Sequence, residues 1–214
     1  MSRITIKICG LTRPADVTAA VEAGADALGL VFVPASPRAL EPAQAAALVT
    51  DLPPFITLIG LFMDPQPAQV EAVLAAVPLD QLQFHGTESA AACARYGRPY
   101  IKTVPLGETT DPQRLYDAAA AHPRARALLI DGHGVGELGG QGRRVGRLAD
   151  GRRWGEVLAR PLVLAGGLAP GNVAAAVAAA APAAVDVSSG IERAPGIKDP
   201  ALMRRFVEEV RGVC

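Results

Sequence analysis

A chain of 214 residues with 21 basic and 21 acidic side chains carries no formal net charge, which argues against nucleic acid or an anionic membrane as its main partner. Aromatic residues make up only 4 %, too few for base-stacking platforms, while 50 % hydrophobic content is ordinary for a globular protein. The three cysteines, Cys9, Cys93 and Cys214, are odd in number and far apart, which disfavours a disulfide framework or a zinc site and fits a reducing, cytoplasmic compartment.

The chain begins Met1-Ser2-Arg3-Ile4 and runs straight into an apolar stretch without the pattern of a signal peptide, so none is expected. Ile4–Cys9 reads as the first strand. Thr12 is then the expected cap of a helix that takes Pro14 in its first turn and stops at Gly24. Further strand-like runs follow at Ala27–Val33, Ile56–Met63, Gln81–His85, Tyr100–Leu106, Ala125–Asp131, Pro161–Gly166 and Ala183–Ser188. Asp64-Pro65 and Asp199-Pro200 are expected to open two more of the alanine-rich helices between them. The strand runs are mostly continuous in hydrophobicity, as strands covered on both faces should be, and none approaches the roughly 18 apolar residues of a spanning helix. Eight strands alternating with about eight helices predict an α/β fold with a parallel sheet. Six of these units would also fit a doubly wound sheet, but eight in 214 residues favour a compact, closed (β/α)8 TIM barrel spanning 1–214 as one domain. The widest spacing lies between the sixth and seventh runs. It holds Gly132–Trp154, rich in Gly and Arg and expected to be a long loop.

A barrel of this kind carries its active site at the carboxyl ends of its strands. Polar residues closing an apolar run are therefore the candidates: Cys9 in Lys7-Ile8-Cys9-Gly10, His85 in Gln83-Phe84-His85-Gly86, Asp131 in Leu129-Ile130-Asp131-Gly132, Gly166-Gly167, and Asp186-Val187-Ser188-Ser189-Gly190. Singly, each has a bland reading, as a buried thiol, a packed imidazole, a helix cap or a tight turn. Together they fall on one rim. The glycine loops after strands seven and eight also suit a phosphate, because Gly admits close approach of backbone N–H groups to an anion.

Six motifs in order extend this reading. They are Lys7-Ile8-Cys9-Gly10, Gly29-Leu30-Val31-Phe32 with Ser36-Pro37-Arg38, Gly60-Leu61-Phe62, Leu82-Gln83-Phe84-His85-Gly86, Leu164-Ala165-Gly166-Gly167-Leu168 with Pro170 and Asn172-Val173, and Asp186-Val187-Ser188-Ser189-Gly190-Ile191-Glu192 with Pro195-Gly196 and Lys198-Asp199. With them the chain resembles the phosphoribosylanthranilate isomerases over essentially its whole length. The resemblance implies an Amadori rearrangement of N-(5-phosphoribosyl)anthranilate in tryptophan biosynthesis, without cofactor or metal. Asp131 would be the general acid and Cys9 the general base. Arg38 would hold the anthranilate carboxylate, His85 would stand in the pocket wall, and Gly166, Gly167, Asp186, Ser189 and Gly190 would bind substrate. The partner implied is a small phosphosugar, not nucleic acid or membrane, and the assembly a monomer or homodimer.

Unperturbed, a carboxyl near 3.9 and a thiol near 8.5 are both wrong for these tasks at neutral pH. Burial can raise the first, and a nearby cation can lower the second. Lys7, two residues before Cys9, should share its side of the strand. If that side is the barrel interior, Asp186 on the neighbouring eighth strand is the expected partner; an exterior, snorkelling Lys7 is the alternative. One stretch departs from the family pattern: Gly139-Gly140-Gln141-Gly142 is followed by Arg143–Arg153, about seven residues more than expected, with five arginines. This stretch is expected to be exposed and mobile. Three other readings compete. A barrel isomerase of histidine biosynthesis would carry a carboxylate in place of Cys9. Indole-3-glycerol-phosphate synthase would need more strand-end lysines than Lys7, Lys102 and Lys198. A silent metabolite-binding barrel would not need Cys9 and Asp131.

Overall fold

The computed structural model describes residues 3–105, 113–131 and 158–213. The expectations for Arg143–Arg153 and Gly139–Gly142 fall outside them. Among the described residues eight parallel strands close into a barrel: β1 (Thr5–Cys9), β2 (Ala27–Val31), β3 (Thr57–Phe62), β4 (Gln81–Phe84), β5 (Tyr100–Pro105), β6 (Ala127–Asp131), β7 (Leu162–Leu164) and β8 (Ala184–Val187). Closure comes from β1 pairing with β8, in a register that sets Thr5 opposite Ala184 and Lys7 opposite Asp186. The (β/α)8 barrel expected from the alternation of strand and helix patterns is therefore the fold.

The near-continuous hydrophobicity of the strands follows from two separate cores. Residues of one parity, among them Ile6, Ile8, Leu28, Leu30, Leu82, Phe84, Leu128, Ile130 and Val185, pack between the barrel and its helices. The other parity supplies the barrel interior, where Ala27, Ile59, Ile101, Ala127, Leu129 and Val163 form a second cluster. Such a barrel is a packed core rather than a pore.

Local signals set the helices with two corrections. The first helix runs Pro14–Ala23 and ends on Gly24 in the left-handed conformation, as expected. Its cap is Arg13, not Thr12, because the Thr12 hydroxyl donates to the Gly196 carbonyl at 2.6 Å, a tertiary bond that replaces the local one. The helix expected from Asp64-Pro65 begins only at Pro67. Asp64 instead takes φ 45° and its carboxylate accepts from the Thr87 amide and hydroxyl. Asp199 caps the last helix, Pro200–Arg211, as expected, through the amides of Ala201 and Leu202. After β8 come a single 3-10 turn, Ser189–Ile191, and a short antiparallel hairpin, β9 (Glu192–Ala194) with β10 (Ile197–Lys198). Among the described residues no helix is long and apolar enough to cross a membrane.

Candidate active site

At the carboxyl ends of the strands an open cleft is lined by Cys9, Arg38, His85, Asp131, Gly166, Gly167, Asp186 and Ser189, among others. These residues come from six strand ends and the loops that follow them. Eight of the nine candidates thus meet in one place. Gly190 is the exception: it lies behind the lining, against Leu168 and Ala169 of the preceding loop.

Cys9 ends β1 opposite Gly29 of β2 and is 4 % exposed. A side chain at Gly29 would press on the thiol, with a Cβ only 2.7 Å from Sγ, so this glycine keeps the sulfur's space open. Lys7 shares the interior side of β1. Its ammonium lies 2.9 Å from Asp186 Oδ1, with the two side chains 3 % and 9 % exposed. The interior reading of Lys7 holds. Burial works against its charge, but Asp186 and the neighbouring Cys9 outweigh that and raise its pKa.

The thiol behaves differently from the expectation. Burial pushes Cys9 up, and although Lys7 pulls it down, the net shift is upward. Desolvation in a nearly closed strand end exceeds the pull of a cation whose charge is already shared with Asp186. A thiol raised in this way favours its protonated form at neutral pH.

Asp131 ends β6 and is 5 % exposed. His85 Nε2 stands 3.7 Å from Asp131 Oδ2, longer than a hydrogen bond, so the imidazole is a neighbour in the wall. One layer deeper on β4, Gln83 shares the inward side of His85, is 1 % exposed and lines the cleft. Its Oε1 accepts no hydrogen bond among the described residues, and its amide nitrogen reaches Thr103 Oγ1 at 3.5 Å. Sequence reasoning passed over Gln83, although its spacing of two from His85 was the available signal. Leu61, Met63, Val31 and Val33 add an apolar wall.

The glycine loops are braced from behind. Gly166 and Gly167 take φ 82° and 72°, consecutive left-handed positions that side chains disfavour. Asn172 holds this loop by donating to the Gly167 carbonyl and accepting from the Ala169 amide, both at 2.9 Å. The loop after β8 is held by Lys198, which donates to the Ser188 carbonyl at 3.1 Å.

Arg38 is drawn into the site by its own turn, in which Ser36 Oγ accepts from the Arg38 amide at 3.1 Å. Gly10, at φ 77°, leaves room for its stem, since a Cβ there would clash with Arg38 Cδ. The guanidinium is paired with Glu192, Nε to Oε1 at 2.8 Å and Nη2 to Oε2 at 2.6 Å. Lys198 Nζ donates to the same carboxylate at 2.7 Å and is completely buried. Burial works to raise the Glu192 carboxyl, but Arg38 and Lys198 outweigh it and hold it below its usual range. Burial lowers Lys198 despite that partner. Nothing local in the sequence marks Glu192 and Lys198 as partners of Arg38.

The remaining histidine and cysteine among the described residues belong to the outer layer. His122 faces the Tyr100 hydroxyl at 3.5 Å and is lowered by burial. Cys93 is buried, and burial pushes its thiol up to about 12. Among the described residues no three of His, Cys, Asp and Glu cluster in a way that could hold a metal ion.

A closed (β/α)8 barrel with a thiol, a carboxyl group and two glycine loops around one rim has the architecture of a barrel enzyme. The chain belongs to the N-(5'-phosphoribosyl)anthranilate isomerase family, whose model matches residues 6–209. An isomerase of that name from Halorhodospira halophila is 49 % identical over 208 residues, 97 % of each chain. The crystal structure of phosphoribosyl anthranilate isomerase from Thermotoga maritima is 34 % identical, with TM-score 0.85, covering 98 % of this chain and 99 % of that one. Another such isomerase, crystallised with reduced 1-(o-carboxyphenylamino)-1-deoxyribulose 5-phosphate, is 32 % identical with TM-score 0.80, covering 98 % and 99 %. The chain is accordingly an aldose–ketose isomerase of tryptophan biosynthesis, and the histidine-pathway and synthase readings fall away.

Proposed function

We propose that this cleft rearranges N-(5'-phosphoribosyl)anthranilate to 1-(o-carboxyphenylamino)-1-deoxyribulose 5-phosphate, with Asp131 as general acid and Cys9 as general base. The observation that carries the proposal is that Cys9 and Asp131, 122 positions apart in the sequence, line one cleft together with both glycine loops. A related enzyme is crystallised with a reduced form of the same product, which supports the substrate class.

Asp131 gives its proton to the furanose oxygen as the bond from that oxygen to the anomeric carbon breaks. The anilinic nitrogen lone pair forms the iminium, and Asp131 is left as carboxylate. Cys9 then removes the proton from C2, and the electron pair of that C–H bond neutralises the iminium to give an enolamine, which tautomerises to the ketone. The raised thiol fits this order, because the iminium cation forming beside Cys9 favours the thiolate when a base is needed. Arg38 supplies a planar fork for the anthranilate carboxylate, and Leu61, Met63 and Val31 supply apolar surface for the ring. Gly166, Gly167 and Ser189 offer backbone N–H groups to the phosphate, and Asp186 keeps Lys7 charged beside the thiol.

Turnover of the aminoaldose, followed by loss of substrate fluorescence, tests the proposal directly. General acid–base groups contribute about 10²–10⁴-fold, so Cys9→Ala and Asp131→Asn should each lose at least that much kcat while retaining the fold by circular dichroism. Wild-type-like kcat in either variant would refute the role of that residue.

A further inference from the structure

Glu192 takes no part in the proton transfers, yet it is the anion at the centre of the most enclosed ion cluster beside the cleft. The side chains of Arg38, Glu192 and Lys198 are 7 %, 5 % and 0 % exposed. Two cations share one carboxylate, so the cluster keeps a net positive charge. Glu192 engages the guanidinium from the side, through Nε and Nη2. Nη1 makes no hydrogen bond among the described residues, and Arg38 lines the cleft. A guanidinium has a second planar edge, formed by Nη1 and the other hydrogen of Nη2, and this edge remains for a second carboxylate. Lys198, pinned to the Ser188 carbonyl at 3.1 Å, fixes Glu192 relative to the loop after β8.

We propose that Glu192 is a positioning residue for recognition of the substrate's aromatic carboxylate: it holds Arg38 by one edge so that the other is presented to the cleft, while Lys198 keeps the cluster cationic. The inference rests on the reading of Arg38 as the anthranilate partner. A freely rotating arginine would lose much of its rotamer freedom on binding, whereas one already clamped loses little. The device thus acts on substrate preference and on KM rather than on the chemical step.

The test compares the natural substrate with its phosphoribosylaniline analogue, which lacks the ring carboxylate. The wild type should prefer the carboxylated compound in kcat/KM. In Glu192→Gln an amide N–H necessarily faces one of the two cations, the bidentate clamp is lost, and the preference should fall about tenfold, chiefly through KM. Glu192→Asp keeps an anion for Lys198 but draws it back from Arg38; it should show an intermediate fall and serves also if the glutamine variant does not fold. A wild type that prefers neither compound overturns the Arg38 assignment and this proposal with it. A normal wild-type preference that survives unchanged in Glu192→Gln or Glu192→Asp, including equal losses on both compounds, overturns the proposal alone.

Discussion

Gly190→Ala tests how the two glycine loops are fitted together. A methyl group there would overlap the Leu168 carbonyl oxygen and stand 2.9 Å from Ala169 Cβ, where carbon atoms normally rest at about 3.5–4.0 Å. The obstructing atoms are mostly backbone, so they cannot be relieved by turning a side chain. The loops after β7 and β8 must therefore separate by on the order of 1 Å, a displacement that costs about 10²-fold when it misplaces groups acting on a substrate. If it costs one backbone hydrogen bond to a charged phosphate, about 1.5–3 kcal/mol is lost, equivalent to a rise in KM of roughly tenfold to hundredfold. Steady-state kinetics should show that rise, and competitive inhibition by inorganic phosphate should weaken in parallel. Gly97→Ala is the control: Gly97 has φ 65° but no atom within 4 Å of its would-be Cβ, so it carries backbone strain without the clash and should lower Tm without moving KM. If Gly190→Ala lowers Tm while KM and phosphate inhibition stay at wild-type values, the loops are only turns and the phosphate reading is wrong.

Two further outcomes follow from the interior of the barrel. Because burial holds Cys9 above the usual thiol range, its thiolate fraction without substrate added should rise only at alkaline pH. Its alkylation by iodoacetamide, resolved from Cys93 and Cys214 by mass spectrometry, should still be accelerating beyond about pH 9; a plateau near neutrality would mean that Lys7 prevails over burial. Lys7→Met strands the Asp186 carboxylate at a site where its side chain is 9 % exposed, and removing one partner of such a pair costs about 3–5 kcal/mol. That corresponds to a fall in Tm of roughly 10 °C for a chain of this size, most of it regained in Lys7→Met/Asp186→Asn; a single variant as stable as the wild type would contradict the buried pair.

The sequence alone carried what depends on local pattern. Alternating apolar runs and capped helices specified the closed barrel, because burial on two faces leaves continuous hydrophobic strands. Strand-end position brought Cys9, His85 and Asp131 to one rim, since a (β/α)8 barrel puts every strand's carboxyl end on the same side. The Lys7–Asp186 pair was also legible, because closure makes the first and last strands neighbours. Tertiary structure decided what depends on competition between distant groups. Thr12 gives up its capping role because Gly196, 184 residues away, offers a stronger partner. Arg38 meets Glu192 and Lys198 because the hairpin after β8 folds back over the loop after β2, a contact without local period or motif. The direction of the Cys9 shift likewise required the fold. Sequence placed a cation beside the thiol, but only the packed strand end shows that loss of water outweighs that cation's charge.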